Sequence, residues 1–294
     1  MDYRAEELMG RGALIGAVEA PALHVMSWNI CQSSSPFILR ARNRWPRRAP
    51  RLEALLRAER PTLLGAQEAQ PEQVAFLRDC LGEHYRVLGR GRDAAGDDEA
   101  CPILYDTRRL ELVDWWQSAL SDTPQVPGST SWGNLLPRVM VCAVLRDRVG
   151  SGRLLAVNTH LDHLSRRARV RSAQAIRQVV AETGLPAVVT GDLNDSADSE
   201  PLRELLAGGL LTDAWQTARD HDSELWGTFG RYRQPRPGGR RLDWVLVSPE
   251  LEVQRAAINP RRHDDGWASD HLPVQVVLRP DGLGEDRRTA ASCG

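Results

Sequence analysis

The chain has 294 residues, of which 41% are hydrophobic and 26% are charged, and its formal net charge is −1. This composition indicates one large globular domain or two small ones, and the nine tryptophans argue against a disordered chain. The apolar runs fall far short of the ~20 residues that cross a bilayer, so we expect no membrane association. The small net charge gives no general attraction to nucleic acid.

The basic and sulfur-containing residues further limit the class of protein. Lysine is absent, so all 38 basic side chains are arginine, and each contact to a phosphate from a permanently cationic group must come from a guanidinium. The five cysteines are scattered without a CxxC pair, which argues against a disulfide framework or a zinc site. The first residues lack the apolar core of a secretory signal. We expect reduced thiols, a cytoplasmic location and no obligate protein partner.

The first part of the chain predicts strands and helices in mixed order. Residues 1–21 indicate an N-terminal extension, 22–280 one domain, and 281–294 a flexible tail. Helical spacing of apolar residues predicts helices over 47–59 and 71–81. Short apolar runs predict strands over 23–30, 62–67, 85–89 and 101–105.

The second part is richer in strands. Helices are predicted over 165–183 and 201–206. Many of the remaining predicted strands follow one another without a helix between them, which does not fit a doubly wound parallel sheet. Two packed mixed sheets with helices outside fit better. These strands cover 110–116, 139–145, 154–159, 186–190, 242–248, 251–258 and 274–278.

Polar side chains cluster where predicted strands begin or end, the places where a sheet presents catalytic groups on loops. The cluster is rich in carboxylate and amide oxygens, which suit Mg²⁺ or Mn²⁺ rather than zinc. Its members are Asn29, Glu68, His160, Asp192, Asn194, Asp243, Asp270 and His271.

Six short segments give these residues a common context. WN, QE, NTHLDH, GDLN, LDWVLVS and SDHLPV occur in that order between residues 23 and 278. Together they resemble the motifs of the endonuclease/exonuclease/phosphatase superfamily, the DNase I-like metal-dependent phosphoesterases. The resemblance implies a four-layer α/β/β/α sandwich of two mixed sheets flanked by helices. It also implies hydrolysis of a phosphate ester with Mg²⁺, for which Mn²⁺ may substitute, as cofactor.

The resemblance assigns a metal site and a water-activating group. Glu68 resembles the main metal ligand, with Asn29 and Asp270 beside it. Asp192 resembles the carboxylate that orients and activates the attacking water. Asn194 resembles its partner, which donates a hydrogen bond to the phosphate.

The resemblance also assigns roles to the histidines. His271 resembles the residue that contacts the scissile phosphate or acts as a base, and Asp243 the carboxylate that fixes its tautomer. His160 resembles a second active-site histidine near the leaving group, for which Glu99 is a candidate support. Arg138 matches a position that faces the phosphate in the DNase-like branch.

The substrate is left open by the sequence. Asp162 and His163 stand where deadenylase-like relatives carry a basic cluster, and we expect them near the substrate. This favours a small phosphomonoester or phosphodiester, with a DNA or RNA nuclease as the alternative and a catalytically silent binding module as the alternative of another class. Specificity is expected on loops 31–46, 117–137 and 219–240. The last contains the arginine-rich run 231–241, which is expected at the rim of the site, either solvated or in contact with an anionic substrate.

Overall fold

The computed structural model describes residues 12–34, 40–150, 152–264 and 266–279. Within these ranges the chain forms two mixed sheets and five α-helices. The helices are α1 (Trp45–Glu59), α2 (Pro71–Leu81), α3 (Arg166–Thr183), α4 (Glu200–Leu206) and α5 (Ala214–Thr217). The strands are β1 (Leu23–Asn29), β2 (Leu63–Gln67), β3 (Tyr85–Leu88), β4 (Ile103–Asp106), β5 (Leu110–Ala119), β6 (Val139–Asp147), β7 (Arg153–His160), β8 (Ala187–Asp192), β9 (Thr212–Asp213), β10 (Asp220–His221), β11 (Asp243–Val247), β12 (Glu252–Ile258) and β13 (Val274–Arg279).

The order of the strands brings the ends of several of them to one edge. One sheet runs β10-β12-β13-β1-β2-β4-β3 and the other β5-β6-β7-β8-β11-β9. β1 is parallel to β2 and antiparallel to β13, while β7 is parallel to β8, which is antiparallel to β11. The carboxyl ends of β1, β2, β7 and β8 therefore lie beside the amino ends of β11 and β13. This shared edge carries the candidate site.

Three buried apolar clusters hold the layers together. The central one lies between the sheets and includes Val25 and Val245. Because side chains alternate along a strand, the neighbouring Met26 points the other way and packs with Leu52 of α1. The third cluster seats α3 on the second sheet through Ile176. The result is helix, sheet, sheet, helix, which confirms the predicted four-layer sandwich.

A polar network crosses the sheet interface behind the site. Nε2 of Gln67 donates to Oδ1 of Asn158 at 2.7 Å, and the hydroxyl of Thr190 donates to the same oxygen at 3.0 Å. Gly65 makes room for this contact, since a Cβ there would lie 2.7 Å from Asn158 Oδ1 and would overlap the Thr190 hydroxyl. The two sheets are thus joined by directional bonds as well as by apolar packing.

The segment before β1 is fastened to the core by Glu59. This buried carboxylate accepts the backbone N–H groups of residues 14–16 at 2.6–3.1 Å and the side-chain amides of Asn259 and Gln275, both at 2.9 Å. Burial opposes ionisation, but these hydrogen bonds outweigh it and lower the pKa of Glu59. His24 completes the cluster, and its Nδ1 lies 2.8 Å from the carbonyl oxygen of Gly16.

Most predicted elements are found within a few residues of their expected ends. The helix over 71–81 has the predicted bounds, and that over 47–59 begins earlier, at Trp45. The pattern missed β9, β10 and α5, each too short to show a period. Cys293, residues 1–11 and the tail 281–294 lie outside the described residues. The other four cysteines are buried and free, and no helix in the described ranges combines the length and apolarity needed to span a membrane.

Candidate active site

Strand register sets the carboxylate Asp192 between two partners. At the end of β8 it is directly opposite Asp243 on β11 and beside His160 on β7. All three side chains are buried. These three residues therefore lie on rigid strands. Of the other five, Glu68, Asn194, Asp270 and His271 lie on the loops next to the strand ends, and Asn29 ends β1.

Asn29 links the two sheets at this edge. Its Nδ2 donates to Oε1 of Glu68 at 2.9 Å and to Oδ2 of Asp192 at 3.0 Å. Its Oδ1 accepts the backbone N–H of Cys31 at 3.0 Å, which leaves one lone pair of that oxygen for another partner. Glu68 has a left-handed backbone with φ of 58°, rare for glutamate and a form of strain found at functional sites.

His271 and Asp243 form a buried pair. Nδ1 of His271 lies 2.7 Å from Oδ2 of Asp243, and its Nε2 lies 3.8 Å from Oδ2 of Asp192. Burial alone would lower the pKa of His271, but the carboxylates of Asp243 and Asp192 outweigh it and hold this pKa well above its usual range. The ring of Phe229 packs on the imidazole with centroids 4.7 Å apart. The arrangement fixes both the tautomer and the orientation of the ring.

His160 is in the opposite electrostatic state. Burial, reinforced by the positive charges of Arg138 and Arg92, lowers its pKa well below 6.5, so the imidazole is neutral. Asn194 Nδ2 lies 2.9 Å from Nε2 of His160 and 3.0 Å from the carbonyl oxygen of Leu161, and it donates to both when Nε2 is unprotonated. The site thus contains one cationic and one neutral histidine, which suits different roles in proton transfer.

Asp270 joins the site through its main chain. The hydroxyl of Ser269 donates to the carbonyl oxygen of Asn29 at 2.6 Å, which places Asp270 beside the end of β1. The carbonyl oxygen of Asp270 accepts the backbone N–H groups of Gly230 and Arg231 at 3.0 and 3.2 Å. The loop that carries these donors is therefore tied directly to the site.

The donor set fits a hard divalent cation. Burial, reinforced by the charge of Asp243, raises the pKa of Asp192 to about 7, which reflects an excess of negative charge at this edge. Oδ1 of Asp243 is buried and has no hydrogen-bond partner among the described residues. Ligand atoms of Asp192, Asp243 and His271 lie within 4.8 Å of one another. A cation bound by carboxylate and amide oxygens would neutralise the excess charge.

The three expected substrate contacts come together next to this cluster. Nη2 of Arg138 lies 3.0 Å from Nδ1 of His163, and its Nε lies 3.6 Å from Oδ2 of Asp162. Asp162 is buried and also accepts the backbone N–H groups of Leu164 and Ser165, at 3.0 and 2.6 Å. Its carboxylate therefore shapes the loop after β7 and orients Arg138, while His163 is exposed.

Glu99 lies near His160 but has another partner. Its Oε2 forms an ion pair with Nη1 of Arg92 at 2.9 Å, and burial raises its pKa to about 7 against the opposing charge of Arg92. Both residues line a small cavity of about 10 Å³ together with Glu68, Arg138 and His160. The side chain that bonds to His160 is Asn194.

Arg48 is a structural support of the site that the motifs do not reveal. Its buried guanidinium donates to the carbonyl oxygens of Ile30, Cys31, Gln32 and Ala268 at 2.6–3.1 Å. These carbonyls belong to the loop after Asn29 and to the loop before Asp270. In the sequence Arg48 is one of several adjacent arginines. The signal that could have revealed it is its position four residues before Leu52, which places both side chains on the buried face of α1.

A four-layer sandwich with carboxylates, amides and histidines at the shared edge of its sheets is the architecture of the DNase I-like proteins. The sequence model of the endonuclease/exonuclease/phosphatase family matches residues 26–271. The chain belongs to this family, whose members are hydrolases that act on phosphate esters.

Known proteins resemble the chain to different degrees. A mannosyl-6-phosphatase from Bacteroides thetaiotaomicron superposes with a TM-score of 0.81 at 28% identity, over 87% of this chain and 99% of that one. The catalytic domain of human Nocturnin, solved with a bound sulfate, gives 0.66 at 18% identity over 89% and 96%, a likeness of fold alone. Protein angel from Drosophila melanogaster is 30% identical over 178 residues, 56% of this chain and 47% of that protein. The match therefore spans about half the length of this relative.

Proposed function

We propose that this protein is a divalent-metal-dependent phosphoesterase that hydrolyses a P–O bond of a small phosphomonoester or phosphodiester. The observation that carries the proposal is one hydrogen-bonded cluster in which Asn29 joins Glu68 to Asp192, beside the pair formed by Asp243 and His271. This cluster combines groups that bind a cation with groups that move a proton, the two requirements of phosphate-ester hydrolysis by water.

The cation would be held by Glu68, Asn29 and Asp270. It would be Mg²⁺, for which Mn²⁺ can substitute. When bound, such an ion neutralises the charge of the phosphate and of the departing oxygen. The alternative set of Asp192, Asp243 and His271 includes a histidine whose raised pKa keeps it cationic, and a protonated imidazole cannot bind a metal ion. The Glu68 side of the cluster is therefore the better site.

The other residues act on water and phosphate. Asp192 accepts the proton of the attacking water and orients it. His271 stays cationic beside Asp243 and donates to a phosphate oxygen, because its raised pKa keeps it protonated. Asn194, whose two amide hydrogens bond to His160 and to the carbonyl oxygen of Leu161, holds the neutral His160 toward the phosphate or the leaving group. Arg138 supplies a fixed positive charge to the substrate.

The small substrate rests on two observations. The chain carries a net charge of −1, and the segment after NTHL has Asp162 and His163 rather than a basic cluster. The similarity to a mannosyl-6-phosphatase at 28% identity points the same way. Nuclease action on DNA or RNA is the second candidate, favoured by the wider family. The buried free cysteines fit a reducing compartment, so we also propose a cytoplasmic location.

The test is product release by the purified protein with Mg²⁺ or Mn²⁺. The panel holds sugar phosphates, p-nitrophenyl phosphate, bis-p-nitrophenyl phosphate, single- and double-stranded DNA and RNA. Turnover that depends on metal and disappears in Asp192→Asn is the expected result, with the melting temperature confirming that the variant folds. Loss of activity at increasing salt is shallow for a small ester and steep for a polynucleotide. Absence of any turnover in the wild-type protein, together with no Mn²⁺ binding by calorimetry, favours the silent binding module.

A further inference from the structure

A cavity next to the candidate active site is lined by three arginines to which the proposed reaction gives no role. Its volume is about 500 Å³, within the range of small-molecule sites. Residues 226–240 form the loop around it, which we call the rim loop. Its lining includes Trp226, Phe229, Arg233, Arg236 and Arg240.

The rim loop is fixed to the candidate active site at several points. Gly230 and Arg231 donate backbone N–H groups to the carbonyl oxygen of Asp270, and Leu272 donates to that of Thr228 at 2.8 Å. The ring of Phe229 lines the cavity and also packs on His271. Phe229 therefore connects the cavity to His271, the histidine proposed to contact the scissile phosphate.

The rim loop is also braced internally. Backbone bonds join Gly227 to Arg236 at 3.0 Å and Phe229 to Arg240 at 3.2 Å. Pro235 and Pro237 restrict the backbone between these bonds. A braced loop presents its side chains at lower entropic cost than a free one, as a binding surface requires.

The charge of the rim loop contrasts with the rest of the chain. Residues 226–240 contain four arginines and no acidic residue, although the net charge of the whole chain is −1. Arg233, Arg236 and Arg240 are exposed, and none of them forms an ion pair with a carboxylate of the described ranges. Guanidinium groups in such a cluster match the oxygens of a phosphate dianion.

We propose that this cavity is a subsite for a second phosphate group, carried by the substrate at a distance from the phosphate that is cleaved. The inference rests on the proposed function, since it names the class of ester that the site selects. A bisphosphorylated sugar or nucleoside would place one phosphate on the Glu68 side and the other among Arg233, Arg236 and Arg240. Phe229 and Trp226 would then contact the apolar face of the part that joins them.

The experiment compares each bisphosphate with its monophosphate. The probes are glucose 1,6-bisphosphate with glucose 6-phosphate, and adenosine 3′,5′-bisphosphate with adenosine 5′-monophosphate. Whichever pair shows the preference identifies a sugar or a nucleoside as the carrier. In the variant R233A/R236A/R240A the ratio of kcat/KM for the bisphosphate to that for the monophosphate falls about tenfold to a hundredfold, the effect of one or two lost charge-assisted hydrogen bonds.

A matched control removes three exposed arginines far from the site. Arg57 and Arg60 precede β2 and Arg78 lies at the end of α2, whereas Glu68 follows the other end of β2. R57A/R60A/R78A changes the net charge equally and keeps the ratio. Equal ratios in the wild-type protein and R233A/R236A/R240A overturn the subsite.

A binding measurement separates failure of the subsite from failure of the proposed function. Trp226 lines the cavity, so the part of the protein's tryptophan fluorescence that is lost in Trp226→Phe reports a ligand there without turnover. Pyrophosphate, used as the probe, is expected to change this fluorescence in the wild-type protein and R57A/R60A/R78A but not in R233A/R236A/R240A. If no ester is hydrolysed and this difference persists, the reaction is wrong and the anion site stands. If esters are hydrolysed and the difference is absent, the subsite is wrong.

Discussion

Nδ1 of His271 and Oδ2 of Asp243 lie 2.7 Å apart, although 28 residues separate them in the chain. The pair is built by two strands of different sheets, with Asp243 opening β11 and His271 preceding β13. The imidazole is thereby held with its Nε2 directed toward Asp192. The orientation of this histidine depends on Asp243, which also contributes more than Asp192 does to its cationic state.

Asp243→Asn is therefore expected to impair catalysis more than folding. An amide keeps the shape but not the charge, so His271 loses its preference for the cationic form and for one tautomer. We expect kcat to fall by about 10²–10⁴-fold, the range for loss of positioned proton transfer. Asp147→Asn is the matched control, because Asp147 is an equally buried carboxylate at the opposite end of β6 from the site. Its ion pair with Arg109 is structural, so that variant is expected to lose stability and keep kcat.

Arg48→Met is expected to affect both stability and metal binding. Four carbonyl oxygens lose a charged donor, which costs about 3 kcal/mol or more of unfolding free energy. Because the two loops involved adjoin Asn29 and Asp270, the affinity for Mn²⁺, measured by calorimetry, should fall by about tenfold. Arg109→Met serves as the control, since Arg109 bonds to Asp147 and to the carbonyl oxygen of Pro21, away from the site. Equal Mn²⁺ affinity in both variants would show that Arg48 supports only the fold.

Acid should destabilise the protein through His24. Burial lowers the pKa of this side chain to about 4, partly offset by the charge of Glu59. The unfolded chain takes up a proton on His24 below its ordinary pKa of about 6.5, which the folded protein resists. The stability contributed by neutral His24 is thus present above that pH and is lost as the pH falls toward 4, by an amount on the order of 3 kcal/mol. Urea unfolding of His24→Gln should depend less on pH in this window, whereas exposed His84→Gln should behave as the wild-type protein does.

Gly65→Ala tests the close approach of the two sheets. The added methyl group would overlap the Thr190 hydroxyl and crowd Asn158, so we expect a loss of about 1–3 kcal/mol in unfolding free energy. Gly150→Ala is a suitable comparison, because a Cβ there has its nearest neighbour, Asp147, at 3.7 Å. Similar melting temperatures for the two variants would mean that the sheets can separate at little cost.

The site residues at the strand ends could be predicted from the sequence, but the contacts that support them could not. Asn29, Glu68, Asp192, Asp243 and His271 occur in ordered motifs at strand ends, and strand direction alone brings such ends together. Their convergence is what the structure shows. The metal and catalytic roles given to them stay predictions.

The supporting contacts depend on pairings that no local pattern contains. Arg48 reaches Ala268 across 220 residues, and Gln67 meets Asn158 across 91 residues. Glu99 was expected to support His160, but its partner is Arg92, seven residues earlier in the chain. Polar spacing cannot distinguish such pairs, because it records which face a side chain occupies and not which layer packs against it.

The absence of lysine has a consequence for the charge state of a bound ligand. Guanidinium groups stay protonated far above neutral pH, so the rim loop keeps its full charge wherever the protein is folded. A phosphate monoester gains its second negative charge near a pH of about 6. The proposed subsite would therefore hold the doubly charged form of a phosphate ester more tightly than the singly charged form of the same molecule, through a titration of the ligand and not of the rim loop.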